Sequence, residues 1–243
     1  MARDSNSIEK LFYKIHPRYR HRYEIYNELL CNNLTKDIAW LDIGCGRNEY
    51  VADFGHRAGT ALGIDKLTNR ESADVPFLQA DLRNIPLPSN YADLITLRMV
   101  VEHLERIPED LSDIVRLLKP DGRLLLLTTN VLSPVVFLPR LLPFALKTWL
   151  IQKYFDVSSE DIFPTYHKLN SPGKMIRVFS DMKLISLEYI EQVPLPNPLL
   201  TLLFGLWYSF TNIPGLRYFR SNLLAVFQKQ ELSTDRVRKD ASN

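Results

Sequence analysis

The first 30 residues place apolar and aromatic side chains at helical spacing. They recur every three or four positions, and the recurrence is interrupted at Pro17. The positions are Ile8, Leu11, Phe12, Ile15, Tyr19, Tyr23, Tyr26, Leu29 and Leu30. This pattern predicts two helices, and we expect residues 1–36 to form an N-terminal helical cap that packs against or folds over the rest of the chain.

From Ile38 the pattern changes to short apolar runs that alternate with amphipathic segments. Strands are predicted at 38–44, 60–65, 75–81, 91–98 and 123–130, helices from about Glu49, from about Val100 and from about Glu109 to Leu118, and a turn at 119–122. A strand, a crossover and another strand, repeated in this way, predict an α/β fold whose mostly parallel sheet carries helices on both faces. Ligands bind such sheets at the carboxyl ends of the strands.

Two apolar stretches interrupt the later part of the chain. The first, Val131–Phe155, carries only Arg140, Lys147 and Lys153 as charges. A helix is predicted beyond it, because Ser171 can cap the helix and Pro172 suits its first turn. Strands at 183–193 and 223–230 come next, and residues 231–243 form a polar tail that we expect to fray.

The second apolar stretch, Val193–Ile213, contains no charged residue. Its unbroken part from Leu199 is shorter than the roughly 20 residues that a membrane span requires, and prolines bracket it, so we do not expect a span. It is either a helix buried in the core or one that lies on a bilayer or covers an apolar substrate. Trp207 and Tyr208, with Arg217 and Arg220 just beyond, suit an interface.

Composition narrows the class of protein. With 46% hydrophobic and 24% charged residues the chain is globular, and a net charge of +2 gives no indication of a nucleic-acid partner. The cations between Lys10 and Arg22 have no acid among them, which fits either a solvated helix face or an anion or membrane-surface site. Two cysteines, Cys31 and Cys45, make neither a disulfide framework nor a zinc site, and the polar N-terminus has no secretory signal, so we expect a cytoplasmic protein.

The candidate chemistry begins in Trp40–Asn48, WLDIGCGRN, an apolar strand that breaks at two glycines. Asp65 lies 21 positions after Gly44, at the end of the next predicted strand, where an acid can accept hydrogen bonds from ribose hydroxyls. Nicotinamide cofactors and S-adenosylmethionine both use this arrangement. Glu49 stands where a dinucleotide fingerprint needs glycine, and Asp42 would repel phosphate, so the electrostatics favour a cationic ligand.

Several ordered motifs resemble those of the class I S-adenosylmethionine-dependent methyltransferases over about residues 38–130. They are Leu41–Gly46, Asp65, Gln79–Leu82, Ala92–Ile95, Glu102–Leu104 and Leu118–Gly122. The resemblance implies a Rossmann-like three-layer sandwich with a seven-stranded sheet in which one strand, 223–230, is antiparallel. It also implies a methyltransferase domain at 37–230 with apolar helical inserts at about 131–170 and 194–221.

The resemblance also implies a site for S-adenosylmethionine. Gly44 and Gly46 would pass beneath its methionine part, Cys45 between them would also be cofactor-binding, and Asp42 would order the amino end directly or through water. Asp65 would bind the ribose, with Lys66 beside the adenine, while Asp81 and the backbone of Leu82 would bind the adenine. Arg98 and Met99 would line the floor under the sulfonium.

One position departs from the family, which usually has glycine where this chain has Asn48. Asparagine tolerates a left-handed backbone best among the other residues, so we expect the loop to survive. Glu102 and His103 match the last two positions of an E-x-x-E-H motif of ubiquinone-pathway O-methyltransferases, but Met99 occupies the first, so no metal is expected. His103 is either a general base for a hydroxyl or, with Glu102 charging the first helical turn, a side chain packed at the sheet edge.

The acceptor would approach over the carboxyl ends of the fourth and fifth strands, where Tyr166 and His167 are the polar groups placed to meet it. The apolar inserts resemble those of uncharacterised bacterial methyltransferases associated with lipid, quinone or envelope-glycan pathways. We therefore expect O-methylation of a lipophilic or lipid-linked small-molecule acceptor, with the enzyme peripheral on the inner membrane. The alternative is a member of the fold that has lost catalysis and serves as a membrane-associated binding partner.

Overall fold

The computed structural model describes residues 7–67, 74–143, 163–193 and 197–231, together with Ala145, Leu146 and Trp149. Its centre is a seven-stranded sheet in the order β3-β2-β1-β4-β5-β7-β6. The strands are β1 (Ala39–Ile43), β2 (Thr60–Asp65), β3 (Phe77–Gln79), β4 (Ala92–Arg98), β5 (Leu118–Thr129), β6 (Met182–Ile190) and β7 (Asn222–Lys229). Only β7 runs antiparallel to its neighbours, β5 and β6, within this sheet. The predicted seven-stranded sheet with one antiparallel strand is confirmed.

Helices cover both faces of the sheet. They are α1 (Ser7–Ile15), α2 (Arg22–Asn33), α3 (Glu49–Phe54), α4 (Ile107–Leu117), α5 (Pro134–Phe137), α6 (Pro172–Val178) and α7 (Pro198–Thr211). Apolar side chains of α4 and α6 pack with Ile95 and Leu97 on one face, and those of α2 and α3 pack with Trp40 and Leu94 on the other. Most side chains in the central strands are apolar because both faces of these strands are buried.

The two N-terminal helices have different partners. Tyr26 and Leu30 place α2 directly on the sheet, where both side chains are fully buried. By contrast, α1 packs on α7 through a separate cluster that includes Phe12, Tyr19 and Tyr208. The second apolar stretch therefore forms a helix with one packed face, rather than one surrounded by the core.

Three local predictions need correction. The expected turn at 119–122 lies within β5, where it forms an irregularity in the pairing with β4 and Asp121 takes a left-handed φ of 62°. Ser171 occupies the N-cap of α6 without a side-chain hydrogen bond, and its carbonyl accepts from Lys174 and Met175 instead. The helix expected from Val100 is one 3₁₀ turn, Val101–His103, because Leu104 is extended and α4 starts only at Ile107.

Both inserts leave the sheet at one end. The first comes after β5, the second joins β6 to β7, and both begin at the edge where β1, β2 and β4 also end. Asn130 connects them, because its Nδ2 donates to the carbonyls of Tyr218 and Arg220 at 2.8 Å. Most of the first insert from residue 144 to 162, and the tail from residue 232, lie outside the described residues.

None of the helices that the structure describes is both long and apolar enough to cross a membrane.

Candidate active site

The glycine loop after β1 turns back on β2. The backbone N–H groups of Gly44 and Cys45 both donate to the Ile64 carbonyl, at 2.7 and 3.2 Å. Gly44 and Gly46 have φ of +71° and +58°, which side chains disfavour. A Cβ at Gly44 would lie 2.4 Å from Val100 Cγ2, whereas one at Gly46 would meet nothing within 4 Å. There is therefore no room for a side chain at Gly44, whereas the space next to Gly46 is free of other protein atoms.

Asn48 ends the loop in a left-handed conformation, with φ 65° and ψ 23°. Its Nδ2 donates to the Pro76 carbonyl at 3.0 Å, and the side chain is buried. Gly63 leaves the space for it, since a Cβ there would lie 1.9 Å from Asn48 Oδ1. The expectation that asparagine can replace glycine here is confirmed for the backbone, and α3 starts at the next residue.

Asp65 is the last residue of β2, and its carboxylate stabilises the glycine loop by a hydrogen bond. Its Oδ2 accepts from the Gly46 N–H and its Oδ1 accepts from the Leu67 N–H, both at 2.9 Å. A carboxylate oxygen has two lone pairs, so each oxygen can accept one further hydrogen bond. The residue can therefore order the loop and bind a pair of hydroxyl groups together.

Asp81, after β3, is paired with Arg83, which sequence reasoning missed. Arg83 donates from its Nε and Nη2 to this carboxylate at 2.8 and 2.6 Å, and these hydrogen bonds hold the pKa of Asp81 well below its usual range. An amino group that binds Asp81 must therefore share the carboxylate with Arg83. The spacing of an acid and an arginine two positions apart was the available signal.

These groups open into one cleft of about 540 Å³ at the carboxyl ends of β1, β2 and β4. That volume lies within the range of about 300–1,000 Å³ typical of small-molecule sites. Nine of the residues predicted for the site line the cleft: Gly44, Gly46, Asp65, Lys66, Asp81, Leu82, Met99, His103 and Tyr166. An apolar wall is formed by Phe163 and Pro164, which belong to the segment expected to border the acceptor, together with Val100 and Leu104, which sequence reasoning did not assign. No local pattern indicates it, because residues from distant parts of the chain form it.

Four predicted site residues, Asp42, Cys45, Arg98 and His167, lie outside the cleft lining, and the expected role of Arg98 needs correction. Arg98 does not line the floor: its guanidinium lies 3.9 Å from the centre of the Tyr50 ring. Cys45 is buried, and burial raises the pKa of its thiol. Asp42 is also buried, and burial raises the pKa of its carboxyl while Arg98 lowers it. Arg98 is therefore a counter-charge for Asp42, which explains its position.

Asp42 nevertheless tests whether the site fits the cofactor. Its Oδ1 accepts from Thr96, but its buried Oδ2 has no hydrogen-bond partner among the described residues. A buried acceptor without a partner is costly unless a ligand or water satisfies it. Together with the open face at Gly46 and the carboxylate of Asp65, this acceptor fits a ligand with ammonium and hydroxyl groups.

The segment that carries Pro164 and Tyr166 is hydrogen-bonded to the turn after β4. The Glu102 carbonyl accepts from the N–H groups of Tyr166 and His167, at 2.8 and 3.1 Å. His103 Nδ1 lies 2.7 Å from the Pro164 carbonyl oxygen. A carbonyl can only accept, so Nδ1 carries the proton and Nε2 of the neutral ring is an acceptor. His103 thus has the tautomer that a base in the cleft needs.

The Glu102 side chain points into the interior and does not charge a helical turn. Its Oε2 accepts from Thr128 at 2.8 Å, and burial raises the pKa of its carboxyl. His167 is also buried, with φ 51° and its Nδ1 3.2 Å from Thr129 Oγ1, so the expectation that it meets the acceptor is corrected. Among the described residues, no group of three or more His, Cys, Asp or Glu side chains is placed to hold a metal ion.

Comparison with known proteins agrees with this geometry. Residues 41–126 match the family model described as a methyltransferase domain. The ubiquinone/menaquinone biosynthesis C-methyltransferase UbiE of Azotobacter vinelandii is 32% identical over 102 residues, which cover 36% of this chain and 40% of that protein. The chain thus spans less than half the length of this relative.

Solved structures share the fold at low identity. An S-adenosylmethionine-dependent methyltransferase from Archaeoglobus fulgidus has a TM-score of 0.57 with 16% identity, and the match covers 90% of this chain and 99% of that one. The [4+2]-cyclase SpnF has a TM-score of 0.54 with 12% identity, covering 85% and 80%. The fold alone therefore does not define the reaction. Residues 41–126 thus match a methyltransferase domain, and the ordered motifs and the sheet topology make the chain similar to the class I S-adenosylmethionine-dependent methyltransferases, whose cofactor is S-adenosylmethionine.

Proposed function

We propose that the protein methylates a hydroxyl oxygen of a lipophilic, lipid-linked or envelope-glycan acceptor. The observation that carries the proposal is His103, which lines the cleft between the glycine loop and the apolar wall and whose Nδ1–H is held by the Pro164 carbonyl. A base in this position can take the proton of an acceptor hydroxyl. When bound, S-adenosylmethionine supplies a methyl group activated by its sulfonium.

The remaining residues of the site position the reactants. Asp65 and Asp81 are the carboxylates proposed for the ribose and the adenine, and Lys66 and Leu82 lie beside them in the cleft. The open face of Gly46 and the buried carboxylate of Asp42 are proposed for the methionine end. Orientation and exclusion of water are the main contributions an enzyme makes to a displacement at an activated carbon.

Apolar side chains support a lipophilic acceptor. Phe163, Pro164 and Leu104 form one wall of the cleft, and Met99 also lines it. The chain beyond β5 adds large exposed apolar residues to the same end of the molecule, among them Leu138 and Leu141. We propose on this basis that the acceptor is presented at a membrane surface, on the cytoplasmic side of the inner membrane.

Methyl transfer to carbon is a second candidate, favoured by the name of the relative, a C-methyltransferase of ubiquinone and menaquinone biosynthesis. Loss of a ring hydroxyl proton raises electron density on the oxygen and on neighbouring ring carbons alike. The same base at His103 therefore serves both outcomes, and the product distinguishes them.

The test is transfer of an isotopically labelled methyl group from S-adenosylmethionine into a bacterial lipid extract, with the product identified by mass spectrometry. We expect a labelled lipophilic product whose fragmentation places the methyl group on oxygen. His103→Gln should lower turnover by about 10²–10⁴-fold with unchanged affinity for the cofactor. The matched control is His56→Gln, since His56 is exposed and lies outside the cleft lining.

Three results would contradict the proposal. Label on carbon would favour the second candidate, and label only in a water-soluble small molecule that is neither lipid-linked nor an envelope glycan would exclude the proposed acceptors. Cofactor binding without turnover on any extract would favour the alternative of a fold member that has lost catalysis and acts as a membrane-associated partner.

A further inference from the structure

Two packed helices expose a continuous apolar surface. On α7 the side chains of Leu199, Leu202, Leu203, Leu206, Phe210 and Ile213, the last just beyond the helix, are exposed and recur every three or four residues. On α1, Leu11 and Ile15 are exposed one turn apart. We call these eight residues the docking face. Single exposed apolar residues are common, but a stripe along a helix indicates an interaction surface.

The docking face belongs to a fixed helix pair. The opposite side of α7 is buried through Thr201, Gly205, Tyr208 and Thr211. Phe12 of α1 lies over Gly205, and a hydrogen bond of 2.9 Å joins His16 Nε2 to Ser209 Oγ. Because these contacts fix the facing sides of α1 and α7, the two helices cannot rotate about their axes to bury the exposed leucines.

The charge around the docking face is mostly positive, although Glu9 lies on α1. Three stretches of the sequence, 10–22, 122–155 and 192–230, contain lysine and arginine but no acid, so all 28 acidic residues lie elsewhere. The first stretch includes most of α1 and the third includes α7. Lys10, Lys14, Arg18 and Arg217 are exposed and form no salt bridge with another described residue.

The fold brings the three acid-free stretches together. Contacts between α1 and α7 join the first stretch to the third, and Asn130 joins the second to the third through the carbonyls of Tyr218 and Arg220. The end of β5, the start of β7 and α7 lie at the end of the sheet where the cleft opens, whereas Arg123 and Lys229 lie at the other end. The apolar stripe, the four cations without a salt bridge and the cleft therefore share one end of the molecule.

The exposed leucines together with the surrounding cations indicate which partner binds the docking face. A second copy of the chain docked by two-fold symmetry would bring the unpaired cations of both copies to one interface. An anionic bilayer instead accepts the leucines between its acyl chains and pairs the cations with its headgroups. Tyr13 and Tyr218, both exposed nearby, have the apolar ring and polar tip typical of a membrane interface.

We propose that the docking face binds the surface of an anionic lipid bilayer, with α7 lying in the plane of the interface. This inference rests on the proposed function, since an acceptor dissolved in a bilayer must be reached from its surface. Docking would bring the mouth of the cleft to the lipid headgroups.

The test is flotation of the purified full chain, without cofactor, with vesicles of phosphatidylcholine alone or mixed with phosphatidylglycerol. We expect flotation with the mixed vesicles and much less with phosphatidylcholine alone. Leu203→Glu with Leu206→Glu should lower partitioning about tenfold or more, and Lys10→Gln with Lys14→Gln should weaken only the binding to anionic vesicles. Ile176→Glu is the matched control, because Ile176 on α6 is 47% exposed against 51% for Leu203.

Folding and cofactor affinity are measured separately for each variant in the absence of vesicles. Docking without turnover would leave this inference standing and contradict the proposed function, so the two can fail independently. Failure of the wild type to float with anionic vesicles would overturn the docking proposal. A dimer in light scattering that the leucine variants convert to monomer, without vesicle binding, would assign the face to a second copy and overturn it too.

Discussion

Gly44 and Gly46 share a left-handed backbone but differ in their surroundings. A Cβ at Gly44 would overlap Val100, whereas the space at Gly46 is open. We expect Gly44→Ala to lower the free energy of unfolding by about 2–4 kcal/mol, from strain and overlap together, and Gly46→Ala by only about 1–2 kcal/mol from strain. Urea denaturation measures both, and calorimetric titration should show that Gly44→Ala also abolishes cofactor binding.

Val100 provides the control for this comparison. Adding Val100→Ala to Gly44→Ala removes the side chain that the new methyl group would meet, so part of the lost stability should return. Equal losses for Gly44→Ala and Gly46→Ala would mean that the loop adjusts freely and that the contact with Val100 is unimportant.

Glu102 makes stability depend on pH in a defined direction. Burial raises the pKa of its carboxyl above the ordinary 4.5, so the folded protein holds this proton more tightly than the unfolded chain. Its contribution is complete below that ordinary value and is lost as the pH rises through the folded-state pKa. The free energy of unfolding of Glu102→Gln relative to wild type should therefore increase as the pH rises from about 4 to about 8.

The difference between the two proteins is the informative quantity, measured by urea denaturation across the pH range. Asp42 and Glu191 are also buried carboxyls with raised pKa values, but they are present in both proteins and cancel. A difference that does not change with pH would show that Glu102 titrates normally.

At the scale of the element, two helical glycines should respond oppositely to the same substitution. In α6 a Cβ at Gly173 would meet nothing within 4 Å, so Gly173→Ala should raise the free energy of unfolding by about 0.5–1 kcal/mol. In α7 a Cβ at Gly205 would lie 3.1 Å from Phe12 Cδ2. Phe12 is held among Tyr13, Tyr19 and Tyr208, so it cannot easily move.

We therefore expect Gly205→Ala to lower stability in spite of alanine's better helix propensity, by about 1 kcal/mol. Thermal and urea denaturation of the two variants supply the measurement. A gain at both positions would mean that α1 and α7 are loosely packed, and the docking face would then not be fixed.

The strands and the early helices were predictable at this scale because each depends on a local repeat. The pattern change at Ile38 predicted the α/β sheet, and Pro17 separated α1 from α2. The irregularity at Asp121 within β5 was not predictable from local turn residues. It depends on continued pairing with β4, a contact between distant parts of the chain.

At the scale of the whole molecule, the cofactor should stabilise the fold by mass action. A ligand that binds only the folded state adds about 2.7 kcal/mol at about 100 times its dissociation constant. For a domain of this size S-adenosylhomocysteine at that concentration should raise the Tm by about 5–10 °C. Differential scanning fluorimetry measures the shift.

Two controls make this result specific. NAD should produce no shift, because Glu49 stands at the start of α3 where a dinucleotide needs glycine. Asp65→Ala should lose the shift, since it removes the acceptor that also holds Gly46. A shift with NAD alone would contradict the assignment of the cofactor.

Sequence alone determined the order of strands and helices, the glycine loop and the carboxylates at the strand ends. These features depend on local spacing, on conformational preferences of single residues and on motifs in a fixed order. The left-handed Asn48 belongs to this group, since asparagine tolerates that conformation.

Only the tertiary structure decided which side chains face the cleft. The tertiary structure places the Arg98 guanidinium over the Tyr50 ring and near Asp42, and it buries His167. It holds Pro164 and Tyr166 at the cleft by hydrogen bonds to His103 and to the Glu102 carbonyl. It also decided which side of α7 remains exposed. The physical reason is that each of these outcomes depends on charge pairing, hydrogen bonds or packing between residues far apart in sequence, which no local pattern of polar and apolar positions specifies.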